Sequence, residues 1–279
     1  MKKNFTSAIR SLIIISLLHV STQAFSADYY WVGGSGVWTD LTHWATSSGG
    51  GTFHAIVPTP LDNVIFDANS FSANGQTVTI NFEAFCNTFT ASSLGFDVNF
   101  DFNATLNSES GINVTGVINW DHNGDINVDA GGLTLGNGLD FALAGGVSNI
   151  AGGFTLKTSS VAIHNGDLNI LSGGLTIENG AMLTATGPND NTGNNYVGDV
   201  EIQDGGNYIQ NGYLTIDGNF TMIGNSDFDH MYGEMKVNNG DVTLGNGSYY
   251  RHRNSYWMRV YDGTLILDAN SEFHSDRVI

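Results

Sequence analysis

The sequence predicts an all-β protein, a parallel β-helix of about 21 residues per coil with a small tryptophan-rich β cap at its N-terminal end. Three observations predict it. Residues 110–130, 131–151 and 152–172 align with one another without a gap, and a fourth copy opens at Gly173. In that register the apolar residues fall into columns: Ile112, Leu133, Phe154 and Leu175, then Val114, Leu135, Leu156 and Ile177. The chain also carries 36 glycines against three prolines, a balance that suits short strands joined by tight turns at positive φ. Fixed-period self-similarity in strand-sized pieces marks a solenoid, in which each unit buries its apolar face only by stacking on its neighbours. One such coil accommodates about three short strands and three bends. A glycine column, Gly124, Gly145, Gly166 and Gly187, is expected at one bend.

Residues 1–26 read as a secretory signal peptide. Lys2, Lys3 and Arg10 form a basic start, and residues 12–20 an apolar core too short to span a bilayer. Small residues offer cleavage after Ala24 or after Ser26. Residues 27–57 hold Trp31, Trp38 and Trp44 between Gly and Ser turns, with no helical apolar stripe. They are expected to cap the solenoid, whose open apolar end and unpaired strand edges must be covered. Flat indole rings also suit sugar faces, so the same three tryptophans are candidates for carbohydrate stacking.

Residues 58–279 form the solenoid in this reading. Val64 and Phe66, then Val78 and Ile80, alternate in the strand manner, and the regular rhythm is plain from residue 110. Residues 187–196 contain no apolar side chain before Tyr196 and are expected to form a loop pushed out of a coil. Strand patterns resume over 198–202, 213–224 and 240–247. The run 248–261 gathers Arg251, Arg253 and Arg259 with five aromatic residues. The last residues read as another coil start, so the solenoid is expected to be incomplete at its C-terminus.

Formal charge is −18, and without residues 1–26 six Lys and Arg face all 27 Asp and Glu, a charge of −21. Such a chain repels phosphate backbones and anionic bilayers, so neither a nucleic-acid partner nor lipid insertion after signal removal is expected. The single cysteine, Cys86, has no intramolecular partner and is expected to be a buried small residue.

Chemistry-bearing patterns are sparse. His122 and His164 share the contexts DHNGD and IHNGD, but they lie two coils apart with Leu143 between them. At about 4.8 Å per coil that is about 9.6 Å, too far for two ligands of one zinc ion. No metal, cofactor or catalytic residue is assigned: phosphate-binding and nucleophile motifs are missing, and the G-x-G spacings belong to bends before strands. Arg251 and Arg253 share a strand face if their run is extended, as do Asp227 and Asp229. Lyases of acidic polysaccharides need a cationic site and glycoside hydrolases need converging carboxylates, so these four residues are the only candidates for such chemistry. The carbohydrate-binding candidates are Trp31, Trp38, Trp44, Tyr250, Arg251, Arg253 and Trp257. In the alternative, structural reading of the run, the aromatics complete a wider coil and the arginines stack over them.

The segment from Tyr29 to Trp38 (YYWVGGSGVW), followed by Trp44 and by Asp62 to Asp67 (DNVIFD), resembles the mature N-terminus of large exported surface proteins of Bacteroidota. In that group a W-x-G-G-x-G-x-W…HW opening precedes a β-helical, adhesin-like region. The chain commonly ends there in a type IX secretion sorting domain or a gliding-motility-associated domain. The resemblance covers about forty residues and brings no catalytic residues with it. It implies export and display; the sorting domain itself has no counterpart here. The expected function is that of a secreted or cell-surface structural, adhesin-like protein without intrinsic catalysis, meeting glycans or host and environmental surfaces. The alternative is a β-helical polysaccharide-degrading enzyme or carbohydrate-binding module centred on residues 249–261.

Overall fold

A computed structural model describes residues 26–136, 139–143, 145–187, 193–254 and 256–275. The expected signal peptide falls on residues 1–26, all but the last of which lie outside the described residues.

The chain winds as a parallel β-helix of about nine turns with ~22 residues per coil. Its strands fall into three faces of twelve, eleven and nine strands among the described residues, here called A, B and C in the order the chain visits them. Alternation builds each strand. Leu133, Leu135, Phe154, Leu156, Leu175 and Ile177 point inward and are buried, while Thr134, Thr155 and Thr176 between them point out. Successive coils pair these residues directly, Leu133 with Phe154 and Phe154 with Leu175, so the expected columns exist as one shared core.

The register differs from strict periodicity on one face. Faces A and B keep 21-residue steps through the repeats, with Ile112, Leu133, Phe154 and Leu175 in line, and likewise Asn119, Asp140, Val161 and Met182. Face C instead aligns Ile126 with Ser148 and Ser148 with Leu168. The glycine column at the bend before it is therefore Gly124, Gly146 and Gly166, not Gly145. A Cβ on Gly146 would sit 1.8 Å from the Gly124 carbonyl oxygen, and one on Gly166 1.9 Å from that of Gly146. Gly145 has open space around it. Backbones pressed together from coil to coil thus decide which residue must lack a side chain.

The N-terminal cap belongs to the solenoid itself. Asp28–Trp31 pairs in parallel with Asn63–Phe66 as the first rung of face A, and Gly36–Val37 opens face B beside Gln76–Ile80. Trp44–Ala45 then folds back antiparallel on the outer edge of Asp28–Trp31, pairing Trp31 with Trp44. Trp31, Trp38 and Trp44 fill the end of the core with edge-to-face contacts of 4.9 Å and 4.8 Å between centroids. Two of these buried indoles keep a partner for their N–H. Trp31 Nε1 donates to the Gly34 carbonyl at 2.7 Å and Trp44 Nε1 to that of Trp38 at 2.7 Å.

The expected loop at 187–196 is in part a strand. Asn194–Val197 lies on face C and pairs with Leu214–Asp217; residues 188–192 fall outside the described residues. Asn194 takes an inward position because its amide is satisfied there. Its Oδ1 accepts from Leu168 N at 3.0 Å, and its Nδ2 donates to Gln210 Oε1 at 3.1 Å.

Candidate functional site

Face B near the C-terminal end carries the charged cluster that the sequence pointed to. Asp227–Tyr232 and Tyr249–His252 pair in parallel, with Asp227 opposite Tyr249 and Asp229 opposite Arg251. Alternation sends Phe228, His230, Tyr250 and His252 into the core, leaving Asp227, Asp229, Tyr249 and Arg251 outside. The carboxylates and the arginines therefore share one surface.

Arg253 grips Asp229 in a fork, with Nε donating to Oδ1 at 2.9 Å and Nη2 to Oδ2. Arg251 Nη1 lies 3.6 Å from the same Oδ2. Its Nε donates to the Tyr249 hydroxyl at 3.0 Å, and its guanidinium carbon lies 4.7 Å from the Tyr249 ring centre. One coil further on, His274 stands opposite Arg251, with Nε2 3.3 Å from Glu272 Oε2.

This arrangement neutralises charge internally. Both guanidinium groups are engaged with Asp229, so neither is free to meet a uronate carboxylate without first releasing it. The depression beside Asp227, Asp229, Tyr249 and Arg251 measures about 170 Å³, and an open hollow of about 460 Å³ lies on the other side of Arg251 and Arg253, against His274. Ligand clefts usually start at about 300 Å³.

Strongly shifted ionisations, which often betray an active site, occur here inside the shaft. Loss of solvation is the leading cause at each. It pushes His122 and His164 down to about 4, His230 down to about 3, and the Cys86 thiol up to about 12. The same cause raises the phenols of Tyr196, Tyr208 and Tyr250. His122 and His164 stand in one inward column with Leu143 between them. Each ties down a bend: His122 Nε2 lies 3.1 Å from the Asp125 carbonyl oxygen, and His164 Nδ1 3.1 Å from that of Gly166. Among the described residues no three His, Cys, Asp or Glu side chains converge on a point where a metal could sit.

Four of the candidate sugar-stacking residues require correction. Trp31, Trp38 and Trp44 are core, at 0–2% exposure, and offer no ring face to a ligand. Tyr250 also points inward, stacked on Phe273 at 4.8 Å with its hydroxyl donating to Met235 Sδ at 3.3 Å. Arg251 and Arg253 meet at Asp229 as described. Trp257 sits just before Met258–Tyr261 of face C, where the Arg259 guanidinium lies 6.0 Å from its ring centre.

Sequence reasoning missed two outer features. The first is an asparagine ladder on face C. Nδ2 of Asn127, Asn149 and Asn169 each donates to Oδ1 of the asparagine one coil earlier, at 2.9, 3.0 and 3.1 Å, starting from Asn107. The repeated triplets INV, SNI and LNI were the available signal. The second is a junction at Glu234, bound by Lys236 at 3.0 Å and Arg259 at 2.8 Å. Lys236 and Arg259 are neighbours in the column that asparagines fill earlier in the chain.

No family model matches the chain, and neither a curated protein nor a solved structure matches it.

Proposed function

We propose that this chain is an exported, rod-shaped surface protein that displays flat polar faces for multivalent contact and performs no catalysis of its own. The observation that carries the reading is the run of like side chains along its faces. Thr134, Thr155 and Thr176 form one outward column and Asn107, Asn127, Asn149 and Asn169 another. Such columns repeat every ~4.8 Å, so a polymeric partner or a surface meets the same weak contact many times. The basic and apolar opening over residues 1–26 and the likeness to Bacteroidota surface proteins support export. Glycans and host or environmental surfaces are the partners that suit a flat, acidic rod.

Immobilised protein tested against a panel of acidic and neutral glycans separates display from turnover. Retention that grows with surface density, without new reducing ends or unsaturated products, supports display. The proximity of Asp227, Asp229, Arg251 and Arg253 favours a second reading, a polysaccharide-cleaving site on face B. Product formation that disappears in Asp229→Ala or Arg251→Ala would establish that reading and overturn the first.

A further inference from the structure

The geometry points to a binding site for one neutral sugar unit at the corner between faces B and C, in a hollow lined by Tyr213, Tyr232, Tyr256 and Gly233. This deepens the display reading and rests on it, naming the chemistry of the partner and the place that holds it.

The hollow arises because successive corners change length. Between Asn207–Asn211 and Asp227–Tyr232 the register slips: His230 faces Gln210, yet Tyr232 faces Asn211, so Met231 is an extra residue. A bulge of this kind bends its strand and re-aims the side chains beyond it. Tyr232 is thereby turned outward, at 50% exposure. In the next coil five residues, 253–257, separate His252 from Met258, where one coil earlier Gly233 and Glu234 suffice between Tyr232 and Met235. That longer corner carries Tyr256 at 40% exposure. A cavity of about 300 Å³ remains between the rings.

Its floor is rigid. Gly233 has φ +87°, and a Cβ there would lie 2.6 Å from the Gly212 backbone carbon. From beneath, Gln210 Nε2 donates to the Tyr213 carbonyl at 3.3 Å, and His230 Nε2 and His252 Nε2 lie 2.7 and 3.2 Å from the carbonyl oxygens of Gly212 and Gly233.

The three tyrosines are also chemically unoccupied. Their hydroxyls make no hydrogen bond to any described residue. Other tyrosines in these coils do: Tyr249 is held by Arg251, Tyr261 by Arg259, and Tyr196 by Tyr208. A pyranose presents apolar C–H faces and a rim of hydroxyls, which matches rings with free phenol oxygens at their tips. The cavity is at the small end of the range for ligand sites and suits a single ring. Charge selects against anions. Arg253, Lys236 and Arg259 around the corner are already bound to Asp229 or Glu234, leaving the chain's overall negative charge to act.

Calorimetric titration of the full chain with cellohexaose, mannohexaose and laminarihexaose, and with hexagalacturonate as the anionic counterpart, tests the site. At least one neutral oligosaccharide should bind and hexagalacturonate should not. Tyr232→Ala and Tyr256→Ala should each weaken that binding by about tenfold or more. Tyr261→Ala, an exposed ring outside the hollow, should leave it unchanged, as should the melting temperature of all three variants. Absence of binding by all three neutral sugars, tighter binding of hexagalacturonate, or affinity indifferent to Tyr232→Ala would overturn the inference. Wild-type retention on a glycan surface by the Tyr232→Ala/Tyr256→Ala double variant would remove this site while leaving display intact; loss of display itself would show as no retention of the wild type.

Discussion

Residues 112–187 and 194–275 build the same shaft in different ways. In the first region, faces A and B advance by constant steps around an interior mostly of Leu, Ile, Val, Phe and Ala. In the second, face A rungs begin unevenly at Val200, Phe220, Val242 and Leu265. The interior there takes in Tyr196, Tyr208, Gln210, His230, Tyr250 and His252. The outside changes in step. One face C column runs Asn127, Asn149 and Asn169, then continues as Asn195, Thr215, Lys236 and Arg259. Buried polar side chains in the second region draw on the corners for partners. Gln210 Oε1 accepts from Tyr208 at 2.6 Å while its Nε2 reaches corner carbonyls, and corners shaped to provide those carbonyls no longer match their neighbours. The irregular region carries the ion pairs at Asp229 and Glu234 and the tyrosine hollow between them.

The largest way to probe this comparison is acid. Above the ordinary histidine value of about 6.5 both folded and unfolded chains are neutral at His122, His164 and His230, and nothing is lost. Between there and about 4 the unfolded chain takes up protons that the buried rings of His122 and His164 refuse, and His230 resists down to about 3. Stability should therefore fall with pH across that window, by about 1.4 kcal/mol per pH unit for each histidine. Denaturant midpoints at pH 7 and pH 5 measure it. Since the inward column continues from His164 through Ala185 and Gln210 to His230, hydrogen-exchange protection should drop in both regions; a drop confined to one would break the parallel drawn between their interiors.

Next in size is the capped end. Trp44→Ala removes a fully buried indole in contact with Tyr29, Trp31, Trp38 and Phe66, and should cost about 3–5 kcal/mol in equilibrium unfolding. A pair of neighbouring glycines sharpens the account of register. Gly146→Ala drives a methyl into the Gly124 carbonyl and should cost about 1–3 kcal/mol, whereas Gly145→Ala meets open space and should stay within about 0.5 kcal/mol. Reversal of that order would restore the strict 21-residue column. The smallest effects lie outside. Asn127→Ala breaks two ladder hydrogen bonds and should cost about 1 kcal/mol, and Asp229→Ala, which releases a half-exposed ion pair, about 0–1 kcal/mol by thermal melting.

What the sequence made legible follows from the same contrast. Leu133, Phe154 and Leu175 could be aligned by eye because their inward column keeps a constant step and holds only apolar residues. Gly146 could not be chosen over Gly145, since both sit in a Gly-rich corner and only the stacked carbonyl distinguishes them. Asn194 reads as loop because its inward position depends on partners 16 and 26 residues away. The Asp229–Arg253 fork lies where coil length varies, so no count of residues brings the pair together. The tyrosine hollow depends on a one-residue slip at Gln210 and Asn211 that leaves no mark on alternation.

The antiparallel return of Trp44–Ala45 gives the rod a direction. Among the described residues every other strand pairing in the three faces is parallel, and beyond Ala45 the one further bridge is an antiparallel contact to Phe53. A newcomer strand arriving at that edge in the orientation of the stack finds a reversed hydrogen-bond pattern and no flat row to copy. Templated addition to face A is thus disfavoured at the tryptophan end, where the outermost rung runs against the stack.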